Sequence, residues 1–253
     1  MFGRAPGARK IMILSASVIG TSHIRAGLPC QDAHALAALP NGAQLFALAD
    51  GAGSAPRSDE GAKLITGAAI EALKAVLAWQ SAAQTDWPST FKTIFEAALG
   101  GVRQYAGDMQ ADANAFAGTL LCGVWWDGGL AAAQVGDGAL VIRAADGGLA
   151  TALAPANGEY ANETVFLTTR NALETMQVFT ASKPITGLCA MSDGLTRLAL
   201  QWPARAPHAN FFEPLLAFAA SAESRNAEIE AFLSSPRVCA RSDDDKTMIL
   251  FAK

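Results

Sequence analysis

Four cysteines, three histidines and two tyrosines are all the chain has of those residues, and only 17% of it is charged. The cysteines (Cys30, Cys122, Cys189, Cys239) are widely scattered. None forms a Cys-x-x-Cys pair, and no histidine stands at a zinc-site spacing. That pattern argues against a zinc site and fits reduced, mostly buried thiols in a cytoplasmic protein. Basic residues are not in excess either: the formal charge of −4 argues against nucleic acid as a partner. No run approaches the roughly 20 apolar residues that span a bilayer, so no membrane segment is expected. Arg4, Arg9 and Lys10 before "IMILSASVIG" imitate a short signal peptide, but the strongly apolar part is only IMIL, and 11–20 reads as a first strand. The glycine-rich "GAGSA" has no Gly-Lys-Ser/Thr after it, which excludes an ATP-binding loop of that kind. No Gly/Ser/Pro-rich linker divides the sequence and no repeat recurs, so residues 1–253 are read as one domain.

What is present is apolar: 51% of the residues are hydrophobic, enough for a substantial core. Strands are predicted at 11–19, 34–39 and 44–49. Ser58 is a candidate N-cap for a helix over "DEGAKLITGAAIEALKAVLAWQ", where Leu64, Ile65, Ala68, Ala72, Leu73, Val76 and Leu77 recur at helical spacing. Asp59 and Glu60 fall in its first turn, where the helix dipole favours them. Pro88 opens a second helix reaching about Met109. Beyond it, "GTLLCGVWWD", "GLAAAQVGDG" and "ALVIRAADGG" read as an antiparallel meander with Gly/Asp turns. Residues 154–175 read as a polar surface excursion, "MQVFTAS" and "ITGLCAMSDG" as strands, 211–233 as helical, and "TMILFA" as the closing strand. Strand groups with a helix pair on either side predict an α+β fold: a four-layer α/β/β/α sandwich of two antiparallel sheets flanked by helix pairs.

Asp-Gly occurs five times, at 50, 127, 137, 146 and 193. Between two strands it marks a tight turn, because glycine tolerates positive φ. Asp127 and Asp146 fit that role, and so does Asp137 taken alone. Asp50 and Asp193 differ, since each ends an apolar strand with no partner strand directly after it. Asp32 in "CQDAH" and Asp243, Asp244 and Asp245 in "SDDDKTMIL" also border strands. Four such sites can converge on one edge of a sandwich. Hard divalent cations take oxygen ligands of this kind, and two of them can activate a shared water. Aspartates that simply terminate strands are the competing explanation.

In order and at compatible separations, "GTSHIRAGLPCQDAH", "LADGAGS", "GTLL", "VGDGALVI", "MSDG" and "DDKTMIL" resemble the motifs of the metal-dependent type 2C (PPM) Ser/Thr protein phosphatases, in particular their short bacterial branch. The resemblance implies hydrolysis of phosphoserine and phosphothreonine by in-line attack of a metal-bridging hydroxide. It implies two Mn²⁺ or Mg²⁺ ions with room for a third, and phosphoprotein substrates of a separately encoded Ser/Thr kinase. By position it makes Asp50 the ligand shared by both ions, Gly51 a ligand through its carbonyl, and Asp193 and Asp244 ligands of the first ion. Asp32 would act in the same cluster mainly through metal-bound water, and Asp137 would hold a third ion. Asp243 and Asp245 are expected to be solvated neighbours, and the 154–175 stretch matches the family's flap near the active site. Two positions differ from many members: Gly27 replaces a phosphate-binding arginine, and Ala52 replaces the histidine of Asp-Gly-His-Gly. Arg25 is the nearby candidate for phosphate; His23, His34 or metal-bound water are candidates to protonate the leaving group. The same two differences keep a second expectation open, a weakly active pseudophosphatase or phosphopeptide-binding regulatory module on the same fold. The chain is expected to act as a monomer.

Overall fold

A computed structural model describes residues 11–156, 164–221 and 225–253. Arg4, Arg9 and Lys10, and the middle of the 154–175 excursion, lie outside the described residues. The first half contains β1 (Met12–Val18), α1 (Thr21–Ala26), β2 (Asp32–Ala38), β3 (Gln44–Asp50), α2 (Ser58–Leu77), α3 (Trp87–Asp108) and β4 (Leu120–Trp126). Then follow β5 (Gly129–Val135), β6 (Ala139–Ala144), β7 (Leu149–Leu153), β8 (Gln177–Ala181), β9 (Ile185–Met191) and α4 (Asp193–Ala199). The last part holds β10 (Leu200–Gln201), β11 (Ala206–Pro207), α5 (Ala209–Ala219), α6 (Asn226–Leu233), α7 (Pro236–Cys239) and β12 (Lys246–Ala252). Among the described residues no helix is long and apolar enough to cross a membrane.

Two antiparallel sheets, ordered β1-β12-β9-β6-β7 and β2-β3-β4-β5-β8, face each other. Alternation along each strand divides its side chains between two layers. On β3, Phe46 and Leu48 point between the sheets, whereas Leu45, Ala47 and Ala49 point to the helices α2 and α3. On β12, Ile249 and Phe251 point between the sheets, and Met248 and Leu250 pack with residues of α4, α5 and α6. Phe251 bridges the layers by an edge contact with Phe46 (centroids 5.6 Å apart) and a stack on Trp125 (5.7 Å). Each such fully buried side chain contributes roughly 1.5–3 kcal/mol of transfer free energy. The α/β/β/α sandwich expected from the sequence is the observed one.

Two local readings are corrected. The expected meander is broken: β4 pairs with β5 and β6 with β7, but β5 and β6 belong to different sheets. The chain therefore crosses from sheet to sheet over residues 136–138, at one end of the sandwich. Ser58 is the first helical residue and not the cap, and its hydroxyl is buried without a partner among the described residues. Arg57 takes the cap position instead, anchored by two hydrogen bonds to Glu60 (2.8 and 2.6 Å) and stacked 4.6 Å from the Phe116 ring. In addition, two short helices form where the sequence predicts no element: α1 before β2, and α4 directly after β9.

Candidate metal centre

Asp50 ends β3 on the same face as Phe46 and Leu48, so alternation carries its carboxylate to the end of the inter-sheet layer. The antiparallel register of β2 and β3 sets Asp32 directly opposite it. Like charges so placed destabilise a strand pair. The structure keeps this arrangement and adds further acids. Asp137 lies on the crossing between β5 and β6, Asp193 opens α4 at the end of β9, and Asp244 precedes β12. Asp50, Asp137 and Asp193 each bring a carboxylate oxygen within 4.8 Å of the other two. Asp244, Gly51, Ala52, Gln31, His23, Thr164 and Phe166 line the same cleft, whose volume is about 170 Å³.

Neighbouring backbone and hydroxyl groups fix these carboxylates. The Asp50 amide donates to Thr119 Oγ1 (2.9 Å), and its carbonyl accepts from the Thr119 amide (2.8 Å). Asp137 Oδ2 accepts from Thr164 Oγ1 at 2.6 Å. Asp32 Oδ2 accepts from Ser192 Oγ at 2.7 Å, and that hydroxyl in turn accepts from the Thr247 amide (2.9 Å). Gly51 has to be glycine: a Cβ there would lie 2.7 Å from the Gln31 carbonyl and 2.8 Å from Ser58 Cβ. The backbone thus comes closest where the carboxylates gather.

Burial and mutual repulsion make the set electrostatically costly. Asp32 is pushed up to about 7, first by burial and then by Asp245 and Asp193, against the hydrogen bonds from Ser192 and Thr247. Burial pushes Asp193 up to about 6, with Asp137 and Asp244 adding to it. Asp50 is raised well above the carboxylate range by burial and by the charges of Asp32 and Asp193, and Asp137 is raised by burial. Among the described residues, no lysine or arginine pairs with the carboxylates of Asp32, Asp50, Asp137, Asp193 or Asp244. One oxygen each of Asp32, Asp137 and Asp193 is buried without a hydrogen-bond partner. Convergent, unpaired, oxygen-only donors fit a hard divalent cation and do not fit zinc held by cysteine and histidine.

Of the residues named from the sequence, Asp50, Gly51, Asp137, Asp193, Asp244 and His23 meet at the cleft, and Asp32 stands against Asp50 behind it. Arg25 and His34 do not line it. Arg25 is 68% exposed and pairs with Asp243 at 3.1 Å. His34 Nδ1 is bonded to Ser17 Oγ (2.8 Å), which accepts from Thr247 Oγ1 (2.7 Å). Gly27, at the position where the resemblance implies a phosphate-binding arginine in many members, is the left-handed cap of α1 with φ 67°, a conformation that disfavours any side chain. One expectation is overturned: Asp245 is not solvated but 3% exposed, and its Oδ2 lies 2.9 Å from His23 Nδ1. Thr164 and Ser192 were missed, because a hydroxyl that orients a distant carboxylate leaves no local pattern.

A family profile described as protein phosphatase 2C matches residues 19–234. Serine/threonine-protein phosphatase 3 of Escherichia coli (strain K12) is 34% identical, over 94% of this chain and 96% of that protein. Among solved structures, the serine/threonine phosphatase Stp1 from Staphylococcus aureus superposes with a TM-score of 0.66 at 15% identity, covering 100% of this chain and 99% of its own. RsbX in complex with magnesium superposes with a TM-score of 0.59 at 14% identity, covering 98% of each chain.

Proposed function

The chain belongs to the protein phosphatase 2C family and is a serine/threonine phosphatase, and we propose that Asp50, Asp193, Asp244, Asp137, Asp32 and the Gly51 carbonyl hold its metal ions. Two Mn²⁺ or Mg²⁺ ions are the occupants that such an oxygen-only set supports, with Asp137 available to a third. The observation that carries this reading is the convergence of three carboxylates within 4.8 Å with, among the described residues, no cationic side chain paired with them. The chemistry such ions supply when bound is charge neutralisation of a phosphoryl group and a lowered pKa for water.

The residues of the chain supply the rest. Thr164 holds Asp137, and Ser192 together with the Thr247 amide holds Asp32, so the acids are oriented before any substrate arrives. Phe166 and Ala52 give the cleft an apolar wall that limits water around a bound phosphate ester. His23 is the ring at the cleft in a position to carry the proton of the leaving serine or threonine oxygen. In this reading residues 1–253 act as one domain and as a monomer in the cytoplasm, on phosphoproteins made by a separate Ser/Thr kinase. The full acid set weighs against a purely phosphopeptide-binding module.

The test is hydrolysis of a phosphothreonine peptide by the purified protein with Mn²⁺. Asp193→Asn is expected to lower turnover by orders of magnitude while the circular dichroism spectrum stays unchanged. Unaltered turnover in that variant would remove the assigned role.

A further inference from the structure

Asp245 is a buried carboxylate outside the acid set proposed to bind metal, and its surroundings are unusually complete. Oδ1 accepts from the Gly20 amide at 2.6 Å, and Oδ2 accepts from the Gln31 amide at 2.6 Å. His23 Nδ1 lies 2.9 Å from the same Oδ2. Its own amide donates to Asp244 Oδ1 at 2.8 Å. Two backbone N–H groups, which can only donate, thus clamp both oxygens and stop the carboxylate from turning. With each carboxylate oxygen already accepting a backbone N–H, the geometry makes the histidine nitrogen facing Oδ2 the donor of the third contact.

The backbone around this contact is built to the same end. Gly20 packs so closely on the Asp243–Asp244 backbone that a Cβ would lie 2.5 Å from the Asp243 carbonyl. The Ser22 amide and hydroxyl both donate to that carbonyl, at 2.9 and 2.6 Å. Helix α1, which carries His23, is therefore fastened to the turn before β12. The imidazole itself lines the acidic cleft.

We propose that Asp245 is a positioning residue: it holds His23 as the Nδ1–H tautomer in a fixed orientation, leaving Nε2 as the ring nitrogen offered to the cleft. Resting on the phosphatase reading above, this gives His23 a defined task. With both ring nitrogens protonated, Nε2 gives its proton to the leaving oxygen, which keeps the bonding pair as the P–O bond to serine or threonine breaks, and the ring returns to the neutral Nδ1–H tautomer. The attacking water, whose oxygen forms the new P–O bond, loses one proton to solvent, and solvent returns one to Nε2 before the next turnover. Ring orientation by a buried acid has a known analogue in the serine proteases, where an Asp→Asn change leaves geometry intact but imposes the wrong tautomer.

Imidazole ¹⁵N–¹H correlation spectra of the metal-free protein test the tautomer without any reference to activity. Where the His23 ring is neutral its proton is expected on Nδ1; a neutral ring protonated at Nε2 overturns the proposal. In Asp245→Asn the amide can present N–H to Nδ1, and the tautomer is expected to reverse. Turnover of a phosphothreonine peptide should then fall about 10²-fold or more, with KM little changed. The loss on p-nitrophenyl phosphate should be far smaller, since nitrophenolate leaves without a proton. Equal losses on both substrates would mark Asp245 as merely structural and refute the proposal. His23→Asn supplies a second arm should Asp245→Asn fail to fold, because it leaves both backbone bonds to Asp245 intact. It is expected to show the same split between substrates, and its absence also counts against the pair. A wild-type protein inactive on every phosphoester would end the phosphatase reading while the spectra still decided the tautomer.

Discussion

Removing one acid from the cleft is expected to stabilise the metal-free protein and destabilise the metal-loaded one. Asp193 is the clearest case, because burial first and then Asp137 and Asp244 push its carboxyl up to about 6. A carboxyl raised on folding binds more protons in the native state than in the unfolded one. Its contribution is therefore most favourable at low pH and is lost as pH rises from the ordinary aspartate range to about 6. With a displacement of about two pH units, the native state at about pH 8 carries a penalty on the order of 3 kcal/mol from this group. Asp193→Asn abolishes it at nearly constant shape. For a chain of this size, each kcal/mol moves Tm by roughly 2–4 °C. In EDTA at about pH 8 the variant should thus melt several degrees above wild type, and the gap should close at about pH 4. Saturating Mn²⁺ should reverse the order, since a cation at about 100 times its Kd stabilises the wild type by roughly 2.7 kcal/mol and the variant by much less. Differential scanning calorimetry in the four combinations of pH and metal reads all of this. A variant that melts below wild type in EDTA at the higher pH would refute the account of the cleft as a set of frustrated, unneutralised charges.

Gly51→Ala forces a Cβ to within 2.7 Å of a backbone carbonyl; overpacking of that kind costs about 1–3 kcal/mol, to be read as a lower urea midpoint. Arg25→Ala should change kcat/KM on a phosphothreonine peptide less than about two-fold, since Arg25 is exposed and paired with Asp243 outside the cleft. A loss of ten-fold or more would return Arg25 to the phosphate site. Thr164→Val removes the hydroxyl that holds Asp137, and isothermal titration with Mn²⁺ should show weakening at the weakest site first, with the strongest unaffected.

How much of this was legible in the sequence depends on the range of the interactions involved. The opposition of Asp32 and Asp50 was readable in principle: Asn41-Gly42 marks a hairpin, and the register that pairs Ala38 with Gln44 beside it, carried along both strands, ends on that pair. The helical spacing of α2 and the alternation of β3 were equally direct, because a helix or strand that must bury one face writes its period into the residues. Asp137 was not readable in this way. Asp127-Gly128, Asp137-Gly138 and Asp146-Gly147 look alike as dipeptides, and the first and third are what they seem. Gly128 and Gly147 have positive φ (103° and 89°), and Asp146 Oδ1 accepts the Gly148 amide at 3.0 Å. Asp137 differs because β5 and β6 belong to opposite sheets, so its turn spans the end of the sandwich and does not close a hairpin. That is a property of the assembled sheets, absent from any local window, and only the family resemblance supplied it.

Asp245 shows the same limit from the other side. In "SDDDKTMIL" three consecutive acids look interchangeable, yet Asp243 is 67% exposed, Asp244 lines the cleft and Asp245 is enclosed. What separates them is a contact across 222 residues of sequence, from Asp245 to His23 on α1, a helix over residues for which the sequence predicts no element. Once α1 is in place the three acids are forced apart in role. One faces solvent and an exposed arginine, one faces the other carboxylates, and one accepts two buried backbone N–H groups. An unpaired buried donor costs about 1–3 kcal/mol, so that last position tolerates few replacements whether or not the histidine beside it transfers a proton. Conservation of stability alone would therefore retain Asp245. Only the tautomer of His23, and the contrast between leaving groups that need a proton and those that do not, separates the architectural demand from the chemical one.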